Sequence, residues 1–61
     1  MRFITLTDDN GDEVIVDSNR IITISTRYQR AGSVLKLEGA QFDLSVREST
    51  QTVVNRINKE S

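Results

Sequence analysis

Three groups of side chains in this sequence are of types that could do chemistry: the carboxylates of Asp8–Glu13, the basic and aromatic stretch Arg27-Tyr28-Gln29-Arg30, and scattered serines. Asp8, Asn10 and Asp12 match the first three ligand positions of a helix-flanked calcium loop, which needs oxygen donors at alternate positions. The match ends there. Glu13 stands where such a loop needs its sharp-turn glycine, and Asn19 where it needs a bidentate glutamate. Asp, Asn and Gly are also the residues that tight turns demand, so the cluster reads as a solvated hairpin tip. No metal and no cofactor is expected.

Catalysis is poorly supplied. The chain has no histidine to act as a base near neutral pH and no cysteine nucleophile. No serine lies in a GxSxG setting, and three glycines form neither a phosphate loop nor a dinucleotide fingerprint. A domain of 61 residues also has little room to build a pocket around paired carboxylates. The expectation is a protein that is not an enzyme. Arg20, Arg27, Tyr28 and Arg30 form the best nucleic-acid surface on offer, since a tyrosine can stack a base while guanidiniums hold phosphates. Eight basic against nine acidic residues, a net charge of −1, argue against a dedicated polyanion binder.

The elements that must position these groups follow from the apolar pattern. At 61 residues the chain is expected to be one domain, 1–61, near the lower size at which a chain folds alone. Disulfides are excluded, so a partner or a second copy is the remaining source of extra stability. No apolar run approaches the roughly 20 residues needed to span a bilayer, and a cytoplasmic location is expected.

Residues 2–7 and 13–17 are two β-branched runs around Asn10-Gly11, a strong hairpin signal. A two-residue turn would scatter the apolar residues over both faces. A three-residue loop, Asp9-Asn10-Gly11 with Gly11 left-handed, pairs Leu6 with Val14 and Ile4 with Val16, gathering them on one face. A third strand is expected over 21–28 with Ile22 and Ile24 inward and Thr26 and Tyr28 continuing that face. A fourth is expected over 34–38 with Leu35 and Leu37 inward. The fifth, 41–46, would turn Phe42, Leu44 and Val46 inward. A tight turn with Gly39 at its first central position sets Leu37 against Phe42, Leu35 against Leu44 and Lys36 against Asp43.

From Glu48 the period changes to three and four, with Val53, Val54 and Ile57, which predicts a helix over 49–59. Ser49 is the expected N-cap, with a Ser45–Glu48 capping box as its rival. Val53 and Ile57 would then close the core formed by Ile4, Leu6, Val14, Val16, Ile22, Ile24, Leu35, Leu37, Phe42, Leu44 and Val46. The fold class is α+β: a small five-stranded antiparallel sheet, or partly open barrel, with one C-terminal helix.

Phe3, Ile15, Ile21 and Val34 are left outside that core and form the candidate interaction surface. The ordered set of Asn10-Gly11, Val14-Ile15-Val16, Ile21-Ile22-x-Ile24, Leu35-x-Leu37-x-Gly39, Phe42-x-Leu44-x-Val46 and Glu48-Ser49 resembles the small flagellar-accessory proteins of the FlbD/SwrD type. It is similar, too, to short uncharacterised phage and gut-bacterial proteins. The resemblance implies a β-rich accessory fold with no catalytic residues. Two functions are therefore expected to compete: a protein-interaction module of bacterial or phage origin, acting on a protein partner or as a homodimer, and a small β-barrel that binds nucleic acid.

Overall fold

The computed structural model describes residues 3–59, so Arg2, expected to open the first strand, lies outside them. Strands β1 (Phe3–Thr7) and β2 (Glu13–Asp17) form an antiparallel hairpin with Ile4 opposite Val16 and Leu6 opposite Val14. The expected three-residue loop closes it. The Asp8 amide donates to the Asp12 carbonyl and the Gly11 amide to the Asp8 carbonyl, both at 3.0 Å, with Gly11 at φ +88°. A short 3-10 turn, Ser18–Arg20, begins where the Asp17 carboxylate accepts from the Asn19 amide, and leads into β3 (Ile21–Thr26). Strands β4 (Ser33–Leu37) and β5 (Leu44–Val46) follow, then helix α1 (Thr50–Lys59).

The five antiparallel strands divide into two sheets, β1–β2 and β3–β4–β5, that do not close, in place of the one five-stranded sheet or partly open barrel expected. One bridge, Asp8 to Val46, joins them, backed by a 2.8 Å hydrogen bond from the Arg47 amide to the Thr7 carbonyl. Three residues of β5 are too few to extend that contact into a ladder, because the chain turns away at Arg47 to start the helix.

Three apolar residues, Ile21, Ile22 and Phe42, lie otherwise than expected, for identifiable reasons. Ile21 pairs with Leu37 but Thr23 pairs with Lys36, so β3 carries one extra residue, Ile22, at a bulge. The bulge turns Ile21 and Ile24 towards the core and leaves Ile22 exposed, the reverse of the expected placement of Ile21 and Ile22. In the β4–β5 hairpin the expected register holds, with Leu35 opposite Leu44. Its far end does not form. The Glu38 amide donates to the Arg20 carbonyl at 2.7 Å, keeping Glu38 on the β3 side, and the turn closes as Ala40 to Leu37 with Gly39 second of the two central residues at φ +79°. Strand β5 therefore begins at Leu44, not Gln41, and Phe42 is 77% exposed. Strand β3 ends at Thr26 instead of Tyr28, and Tyr28 points into solvent.

Ser49 is the N-cap of helix α1, as expected, and its hydroxyl accepts the Thr52 amide at 3.2 Å. Val53 is fully buried and Ile57 packs beside it, so the helix closes a core of Ile4, Leu6, Val16, Leu35 and Val46. Val14, Ile21, Ile24, Leu37 and Leu44 complete it from the rim. Among the described residues no helix is long and apolar enough to cross a membrane.

Candidate functional site

At the acidic tip the protein itself occupies the carboxylates of Asp8 and Asp9. Asp8 accepts the Asn10 and Asp12 amides at 2.9 Å each, holding the loop in shape. Asp9 receives both terminal nitrogens of Arg27, at 2.5 and 3.4 Å, while its carbonyl receives Arg47 at 2.9 Å. Among the described residues no three carboxylates converge as a metal site.

That fork decides how much of the basic stretch is available. The Arg27 side chain is only 9% exposed and ties the β3–β4 loop to the tip of the β1–β2 hairpin. Its loop is held closely: the Arg27 amide donates to the Gly32 carbonyl, and Gly32, at φ +112°, lies so near the Val46 carbonyl oxygen that any side chain would collide with it. Tyr28, 84% exposed, and Arg30 remain in solvent, whereas Arg20 lies 3.9 Å from Asp17 on the other side of the 3-10 turn. The four residues grouped by sequence thus divide into one structural ion pair, one helical-turn arginine and two exposed loop residues.

The edges of the β1–β2 hairpin are treated differently. An antiparallel strand directs the main-chain groups of alternate residues to opposite sides. Thr5 and Thr7 direct theirs away from β2, and the β5–α1 junction and helix α1 meet them. Glu48 accepts the Thr7 amide at 2.9 Å, the Arg47 amide reaches the Thr7 carbonyl, and Arg56 donates to the Thr5 carbonyl at 2.6 Å and to Glu48 at 3.1 Å. The Ser33 hydroxyl, fully buried, donates to the Glu48 carbonyl at 2.7 Å. Burial alone would raise the Glu48 carboxyl. The Thr7 and Glu48 amides, the Thr7 side chain and the Arg56 charge outweigh it and hold the group below its ordinary value. Nothing in the local spacing marked Glu48, Arg47 and Arg56 as an edge cover. Their partners lie some forty to fifty residues away along the chain.

Among the described residues, strand β2 has no such cover. The Asp8–Asp12 bond sets the phase of the ladder, so Val14 and Val16 bond towards β1 while Glu13 and Ile15 direct their main-chain groups outwards. Beside this edge runs a groove of about 440 Å³. It is lined by residues 14–17 of β2, by Leu37 and Leu44, and by Arg20 with Glu38–Ala40, which form the lip opposite β2. On the outer face Ile15 is 64% and Phe3 51% exposed, and they sit diagonally, since Ile15 pairs with Thr5 and Phe3 with Asp17. Of the other two candidate surface residues, Ile21 packs against the core and Val34 is half-buried between Ser25 and Ser45. Compared with protein-family models, curated proteins and solved structures, the chain matches none.

Proposed function

We propose that this chain is a non-enzymatic protein-interaction module, an accessory factor of bacterial or phage type, that docks a protein partner on the free edge and outer face of the β1–β2 hairpin. The observation that carries the reading is the contrast between the two hairpin edges: β1 is capped by Glu48, Arg47 and Arg56, while β2 is left open beside an apolar groove. Unpaired strand edges recruit other chains unless something blunts them. Exposed Ile15 and Phe3 add apolar contact area on the adjoining face. The nucleic-acid alternative loses Arg27 to its ion pair with Asp9 and keeps Tyr28 and Arg30.

Affinity capture from an extract of the source organism, with and without nuclease, tests the reading. A protein retained by the wild-type chain should be lost with Ile15→Lys, a surface substitution that leaves the core intact, and should survive both nuclease and Tyr28→Ala. Binding to single-stranded oligonucleotides that falls steeply with salt and is lost with Tyr28→Ala would overturn it.

A further inference from the structure

Resting on the interaction reading, we infer that the free edge of β2 takes an extended segment of three apolar residues flanked on both sides by basic ones, added antiparallel as a further strand. The pattern is written in the strand. Along β2 the order is Glu13-Val14-Ile15-Val16-Asp17. A strand laid against its outward edge places alternate side chains on the same face as Glu13, Ile15 and Asp17. The residue opposite Ile15 must therefore be apolar, and those opposite Glu13 and Asp17 must complement carboxylates. Residues opposite Val14 and Val16 turn inwards, into the groove that Val14, Val16, Leu37 and Leu44 line. Glu13 has no ion-pair partner among the described residues, and Glu38 adds a third carboxylate on the opposite lip. Arg20, 67% exposed, is the single basic residue among the described residues that line the groove, and it lies 3.9 Å from Asp17.

The same charges select against a second copy. Two β2 edges paired antiparallel about Ile15 would match Ile15 with Ile15 and Val14 with Val16, but would set Glu13 against Asp17 twice. Like charges directly opposite on a sheet are destabilising. The acidic ends of β2 therefore act as a filter that rejects self-pairing and admits a basic strand.

The test is an NMR titration of the labelled full-length chain with two capped heptapeptides, Thr-Lys-Val-Ile-Val-Lys-Thr and its counterpart with glutamate for both lysines. The basic peptide should shift the Glu13, Ile15 and Asp17 amides saturably and bind about tenfold more tightly than the acidic one at low salt, the difference narrowing as salt rises. Glu13→Lys, at an exposed position, should associate with itself at a lower concentration than the wild-type chain, because each like-charge pair becomes an opposite-charge pair. Equal binding of the two peptides, shifts confined to Tyr28 and Arg30, or self-association of the wild-type chain as tight as that of Glu13→Lys would overturn the inference. If neither peptide binds while the chain still captures a protein through Ile15, the edge inference falls and the interaction reading stands. Loss of that capture as well removes both.

Discussion

Gly11 and Gly32 separate two kinds of glycine requirement. Both have positive φ, but what a side chain at Gly11 would first meet is the Arg47 guanidinium at 3.5 Å, a flexible neighbour at ordinary contact distance. A side chain at Gly32 would strike the Val46 carbonyl, which is main chain and belongs to the core strand β5. Gly11→Ala should therefore cost about 1 kcal/mol, the strain of a left-handed alanine. Gly32→Ala should cost about 3 kcal/mol or more, because the β3–β4 loop must leave the sheet. Denaturant midpoints of the two variants measured side by side check the order, and equal losses would contradict it. Glu48 supplies a pH signature. Its folded-state value is lowered, so its stabilising contribution is fully present above the unfolded value of about 4.5 and is lost as pH falls through the lower folded value. The stability gap between the wild-type chain and Glu48→Gln should be constant from neutral pH down to about 5 and shrink below it. A gap that widens on acidification would contradict the assigned contacts.

Among the elements, helix α1 is held by Val53 first and Ile57 second. Val53→Ala should cost about 2 kcal/mol at its fully buried site, Ile57→Ala somewhat less for its half-buried side chain than a full core truncation, and Val54→Ala close to nothing. Urea unfolding of the three variants checks the ranking. This helix and the registers of both hairpins were legible in the sequence, because each rests on a local period: alternation around Gly11, Leu35 facing Leu44, and Val53 with Ile57 four residues on. Ile22 and Phe42 were not. Both follow the alternation of their strands, and both are turned out by one tertiary contact, the Glu38 amide on the Arg20 carbonyl, together with the bulge beside it. The pairing of Arg27 with Asp9 was equally hidden, since nothing within the run Arg27–Arg30 points to a carboxylate 18 residues earlier. Of the candidate surface, Phe3 and Ile15 could be read from the alternation of the first hairpin, whereas the groove beside Ile15 exists only once the Leu37–Ala40 turn is set across from β2.

At the scale of the whole molecule, two small sheets meet at one bridge and are held together by side chains reaching between them: Arg27 to Asp9, Arg47 to the Asp9 carbonyl, and Glu48 with Arg56 to β1. The gap that this arrangement leaves lies beside β2, and the functional reading depends on that strand presenting an open edge. Residue-resolved amide hydrogen exchange on the dilute chain measures it directly. Along β2 the exchange should alternate, with the Val14 and Val16 amides protected by β1 and the Glu13 and Ile15 amides exchanging as exposed groups. The Thr7 amide should be protected, because Glu48 covers the opposite edge. Protection of the Ile15 amide equal to that of Val14 and Val16 would mean that the edge is already occupied, and would contradict the open docking site.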